Sequence, residues 1–197
     1  ASDVYKRQEN NLYKNTIIVF TSDHGGLSNR GNGRPLATSN LPLRAGKGHN
    51  YEGGIKVPLF VVWEDKIVSG WSNTLVTGTD HFPTLLELIG EETMGERHLD
   101  GLSFKKSLSG KLQDNSKRPI FWHSPRPRPK STGDLANTAI RLGDYKLLDF
   151  YREGRVELYN LKEDMRESKN LSETMQNKKE ELLDLVRKWR ESVDAIE

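Results

Sequence analysis

The 197-residue chain contains no cysteine, which excludes disulfides and thiolate metal ligands. It also has almost no net charge. Its 30 basic and 28 acidic side chains leave +2, too weak a field to single out a nucleic acid partner. No apolar run approaches the roughly 20 residues of a membrane-spanning helix, so no membrane partner is expected. The opening stretch "ASDVYKRQEN" lacks the apolar centre of a signal peptide. Within it, "DVYKRQ" (Asp3 to Gln8) matches the translation of a common sequencing-library transposon end, so residues 1–10 are expected to be a non-native or linker segment.

Enough apolar residues remain, 34% of the chain, to build one medium domain or a domain and a half. "NTIIVF" (Asn15 to Phe20) is a continuous β-rich apolar run, the pattern of a parallel strand buried on both faces. "IKVPLFVVW" (Ile55 to Trp63) reads as a second buried strand, with Pro58 near its start. Between them lies a long loop rich in Gly, Asn and Pro, and loops of that length in compact domains are functional or disordered. "TDHFPTLLELIG" (Thr79 to Gly90) predicts a helix capped by Thr79 or Asp80 and ended by Gly90.

The texture changes near Lys111. "RPIFW" (Arg118 to Trp122) reads as a short strand, and "AIRLGDYKLLDFYREGRVELYNL" as an antiparallel meander turning at Gly143-Asp144 and Glu153-Gly154. A terminal amphipathic helix follows, with Leu182, Leu185, Val186, Trp189 and Val193 on one face. The expected division is 1–10, then an α/β part over 11–110, then an antiparallel subdomain with a terminal helix over 111–197.

The chemistry gathers after the first strand. Asp23 and His24 stand where α/β sheets bind ligands, and a carboxylate beside an imidazole suits a divalent cation. Taken alone, the pair also fits a turn-capping aspartate beside an interior histidine. Gly25 and Gly26 let the backbone turn away. In "GKGHNYEGG", Lys47 between two glycines can reach an anion as a point charge, or be an ordinary solvated loop lysine. His49 can donate a proton to a leaving oxygen. Glu52, before Gly53-Gly54, is expected to be structural, its carboxylate bonding backbone N–H groups. The basic loop "PRPRPK" (Pro125 to Lys130) fits an anionic glycan or a polyproline-like connector.

"NTIIVFTSDHGG", "GKGHNYEGGIKVP", "DHFPTLLELIG" and "LDGLSF", in that order, resemble the type I sulfatases of the alkaline-phosphatase superfamily. "IFWHSP", "AIRLGDYKLL" and "ELYNLKEDMRESKNL" resemble that family's C-terminal subdomain, so the likeness runs from about Asn11 to Val193. The resemblance implies an α/β fold: the end of an alkaline-phosphatase-like mixed sheet, followed by a small antiparallel sheet with a C-terminal helix. It implies that Asp23 and His24 are metal ligands, that Lys47 contacts sulfate, and that His123 lies near the substrate; a strand-end histidine is the alternative for His123.

By the same resemblance the ion is Ca2+, although imidazole at His24, where many members have asparagine, also suits Mn2+ or Zn2+. The family's formylglycine nucleophile comes from a Cys/Ser-x-Pro-x-Arg signature. No such signature is present; "SPRPR" at Ser124 is out of register. The paired aspartates and a first set of strands are also missing. The chain is therefore expected to be the C-terminal half of a sulfatase, inactive by itself, with the N-terminal half as its partner. A sulfated carbohydrate or aryl sulfate is the implied substrate, and a periplasmic or secreted location is implied too. The alternatives are a phosphoesterase or phosphonate monoester hydrolase of the same superfamily, and a module that binds sulfated glycan without cleaving it.

Overall fold

The computed structural model describes residues 2–28, 38–97, 100–128 and 133–195. In chain order its main elements are α1 (Ser2–Glu9), β1 (Ile18–Thr21), α2 (Glu52–Ile55), β2 (Leu59–Val62), α3 (His81–Ile89), α4 (Lys105–Leu108), β3 (Ile120–Ser124), β4 (Asn137–Leu142), β5 (Tyr145–Phe150), β6 (Arg155–Asn160) and α5 (Gln176–Ser192). They form two compact units. One is Ala1–Thr21 with Pro58–Asn115, the other Ser22–Val57 with Ser116–Glu197.

In the first unit β1 and β2 form a two-stranded ribbon, with Ile18 opposite Val62 and Thr21 opposite Leu59. The pairing is antiparallel, not the parallel arrangement expected from the apolar run. Nor are both faces buried: Phe20 is 61% exposed and Phe60 51%. Within these 197 residues two strands make no layer that can close over both faces of an apolar run, and the ribbon's faces stay open.

The helix anticipated over Thr79–Gly90 begins with a 3-10 turn, Gly78–Asp80, and continues as α3. Its cap is Asp80. The carboxylate is fully buried and accepts the N–H of Thr77 (2.7 Å) and the N–H of Leu102 (2.8 Å). Gly90 ends α3 in the left-handed region, at φ 84°.

In the second unit, β3-β4-β5-β6 form a meander in that spatial order, all antiparallel. The turns fall at Gly143-Asp144 and near Gly154, as the sequence implies, and both glycines have positive φ. β3 sits two residues later than "RPIFW" suggests, which brings His123 inside the strand.

Strand alternation divides the core into two layers. Ile140, Leu147 and Leu158 meet Leu182, Leu183 and Val186 of α5 on one face. Ala139, Leu148, Phe150 and Tyr159 meet Tyr51 and Ala45 on the other. The sheet is thus sandwiched between a helix and the loop that carries Lys47.

The α5 stripe differs from expectation at two positions: Leu183 is buried, while Val193 is 50% exposed because the helix ends at Ser192. Trp189 stacks flat on Phe121, with centroids 4.8 Å apart. Leu182→Ala should cost about 2–5 kcal/mol in urea unfolding, and Val193→Ala no more than about 0.5 kcal/mol. Equal losses at both positions would contradict this packing.

Candidate functional site

Two loop segments of the second unit, Ser22–Gly26 and Arg44–Gly54, join through their backbones. The Gly25 N–H donates to the Gly54 carbonyl (2.8 Å), and the Lys47 N–H to the Gly26 carbonyl (3.1 Å). The approach needs glycine. A Cβ on Gly25 would overlap the Gly53 carbonyl, and a Cβ on Gly53 would overlap the carbonyls of Arg44 and Ala45. This contact brings the segment of Asp23 and His24 against the segment of Lys47 and His49.

Asn40 braces the junction. Its Oδ1 accepts the Gly26 N–H (3.1 Å), and its Nδ2 donates to the carbonyls of Gly26 (2.8 Å) and Ala45 (3.1 Å). Sequence reading had passed it over as one polar loop residue among many. Its signal is physical, since a primary amide carries an acceptor and two donors on one planar group and so serves a backbone N–H and two carbonyls at once.

His24 has a defined tautomer. Its Nδ1 lies 2.9 Å from the Gly25 carbonyl, which can only accept, so Nδ1 carries a proton. Nε2 then faces the Asp23 Oδ2 at 3.0 Å. A metal ion between the two groups would be bound by both the Nε2 lone pair and the carboxylate. A backbone carbonyl on the opposite ring nitrogen is the usual second-shell support of a metal-bound histidine. The pair therefore fits one side of a metal site. Among the described residues, no group of three or more His, Asp or Glu side chains stands ready to hold an ion.

Lys47 is exposed on the loop surface. His49 is half-buried, with Nδ1 3.2 Å from the Gly46 carbonyl, so this ring too is fixed by its backbone and presents Nε2 outward from that bond. The Asp134 N–H donates to the Gly48 carbonyl (3.1 Å), and burial raises the Asp134 carboxyl above its ordinary range. Asn50 is buried and donates to the Asn137 side chain on β4 (2.9 Å).

Among the described residues Glu52 meets cationic side chains with its carboxylate, where the sequence suggested backbone N–H groups. Its carboxylate lies 3.0 Å from Lys146 Nζ and 3.6 Å from Arg141 Nη1, while its own N–H donates to Glu167 Oε2 (2.7 Å). Its partners lie 94 and 115 residues away in sequence, beyond any local pattern.

The structure does not bring His123 to these loops. On β3 it follows Trp122, whose side chain packs toward Tyr51, so His123 points to the opposite, α5 face. There its Nδ1 is 2.9 Å from Thr138 Oγ1, and its ring lies over Tyr151 and edge-on to Trp189. Of the basic loop, Pro129 and Lys130 lie outside the described residues.

Similarity to known proteins agrees with this arrangement. Residues 3–91 match the family model described as Sulfatase. A "Sulfatase" of Formosa agariphila is 32% identical across 93% of this chain. The N-acetylgalactosamine-6-sulfatase of Canis lupus familiaris is 34% identical across 71% of it. The crystal structure of Ps i-CgsB in complex with k-i-k-neocarrahexaose superposes on 94% of the chain with a TM-score of 0.75 and 28% identity. The chain spans 33% of the Formosa protein, 24% of the canine one and 39% of the i-CgsB chain.

The glycine junction yields a direct test. Gly53→Ala should destabilise the protein by about 3 kcal/mol, because backbone cannot move aside as a side chain can. An unchanged unfolding midpoint would show that the two segments do not meet as described.

Proposed function

The chain belongs to the sulfatase family, and from that premise we propose that it forms the sulfate-holding side of a sulfuric ester hydrolase acting on a sulfated carbohydrate. The observation that carries this reading is the backbone junction of the two loops. It sets Asp23 and His24, here assigned as metal ligands, beside the segment bearing Lys47. A sulfate ester needs positive charge on several oxygens at once, and fixed cations supply it at no reorganisation cost during reaction.

Asp23 and His24 are the residues that hold the ion, Ca2+ or, given the imidazole, Mn2+ or Zn2+. A bound cation supplies Lewis-acid stabilisation of charge on the sulfate oxygens. Lys47, on a slender glycine-flanked loop, reaches the same anion as a point charge. His49, with Nδ1 tied to the Gly46 carbonyl, offers Nε2 to the departing sugar oxygen; only the imidazolium form, with a proton on both nitrogens, would donate a proton there. His123, on the far face of the sheet, takes no part in this assignment.

The nucleophile is assigned to sequence outside these 197 residues, since they contain neither cysteine nor a Ser-x-Pro-x-Arg signature. The carbohydrate preference is supported by i-CgsB, solved with neocarrahexaose, and by the name of the canine relative. A periplasmic or secreted location belongs to the same proposal. Among the described residues, no helix is long and apolar enough to cross a membrane.

The full-length protein should release inorganic sulfate from a sulfated oligosaccharide, and lose that activity on chelation. Lys47→Ala should lower kcat/KM by about 10²–10³-fold, the effect of removing one charge-stabilising group. The 197-residue chain by itself should show no turnover. Faster release of phosphate from a phosphoester would transfer the assignment to a phosphoesterase, the reading that the His24 imidazole favours.

A further inference from the structure

Both ends of the Arg44–Glu52 loop are fastened into the four-stranded sheet by charged groups. At the far end, Lys146 on β5 is fully buried. Its Nζ lies 3.0 Å from Glu52 Oε1 and 2.9 Å from Glu167 Oε1. Glu167 is also fully buried, and its other oxygen accepts the Glu52 N–H at 2.7 Å. Arg141, 3.6 Å from Glu52, brings the local charge to two positive and two negative.

At the near end, Arg44 Nη1 donates to the Tyr159 hydroxyl and to the Glu167 carbonyl, each at 2.8 Å. Its Nη2 donates to the Tyr51 hydroxyl at 3.1 Å, and the guanidinium carbon lies 3.9 Å from the Tyr51 ring centroid. Tyr51 and Tyr159 both donate to Glu157 Oε2, each at 2.7 Å. Glu167 therefore touches both ends, through its carboxylate at one and its carbonyl at the other.

A buried ion cluster is a poor device for stability, since apolar side chains of like volume serve as well or better. What it does supply is a unique geometry. Lysine and glutamate side chains leave water only when their partners are in place, so the loop has one seated position. We propose that Lys146, Glu167 and Arg44 are positioning residues for the loop: they fix where Lys47 and His49 are presented. The antiparallel C-terminal sheet is thereby part of the binding apparatus. This rests on the sulfatase reading only for what Lys47 grips; the positioning itself stands apart from it.

Amide hydrogen exchange on the 197-residue chain tests it. Glu167→Gln keeps size and an acceptor but removes the charge. The bonded amides of Lys47, His49, Gly53 and Gly54 should exchange at least 10-fold faster, and those of β4 and β5 less than 3-fold faster. Leu182→Ala, acting through global unfolding, should accelerate loop and sheet amides alike. Uniform acceleration in Glu167→Gln, or none, would overturn the proposal. If Glu167→Gln fails to fold, Arg44→Met, at a half-exposed position, carries the same test with the same two outcomes. In the full-length enzyme the matching variant should raise KM for the sulfated oligosaccharide. Local loosening without any sulfate release would fault the activity assignment and leave the positioning role standing.

Discussion

A single buried ammonium, Lys146, governs the arrangement of the second unit. It has no access to water, so its charge is tolerable only with carboxylates against it, and the two it has come from distant segments. One is Glu52, at the end of the Lys47 loop, and the other Glu167, in the turn after β6. Removing either leaves a buried charge undercompensated. The cluster therefore works as an assembly condition: the loop, the sheet and the later turn reach their places together or not at all. Burial raises the Glu167 carboxyl above its ordinary range, with Lys146 pulling the other way, so desolvation is the larger cost in this core.

On that anchored base, the junction of the two loops is made with almost no side chain. Gly25, Gly53 and Gly54 press backbone on backbone, and Asn40 fills the remaining donors and acceptors. The candidate side chains Asp23, His24, Lys47 and His49 are carried on the two segments so joined. His24 and His49 each spend Nδ1 on a neighbouring carbonyl, which fixes the ring and leaves Nε2 for chemistry.

The sequence was legible where short-range physics decides. The turns at Gly143-Asp144 and Gly154, the end of α3 at Gly90 and most of the apolar stripe of α5 follow from backbone sterics and periodicity within a few residues. The pairing of Asp23-His24 with Lys47 was legible from motif order. Three things were not. The direction and exposure of β1 depend on which strands lie beside it, and an apolar run carries no such information. The partners of Glu52 lie about a hundred residues away, so its local Glu-Gly-Gly setting suggested a turn instead of an ion cluster. His123, which the family resemblance placed near the substrate and which also read as a strand-end histidine, lies within β3 with its ring edge-on to Trp189, a tertiary contact that no local pattern carries.

The electrostatic logic of the site favours an anion with distributed charge. Asp23 and His24 stand 3.0 Å apart, a carboxylate beside an imidazole nitrogen, which is the donor set proposed to hold a cation. In the proposed assignment a bound cation would reverse the local charge, and Lys47 would add a second positive centre across the loop junction. Two separated positive centres match an ester whose negative charge spreads over several equivalent oxygens better than they match a carboxylate, which offers only two. The exposure of Lys47 fits the same logic, because a charge meant for a ligand must stay outside the buried network that consumes Lys146, Glu52 and Glu167. The protein thus keeps two classes of lysine apart, one spent inward to hold the loop and one kept outward for use.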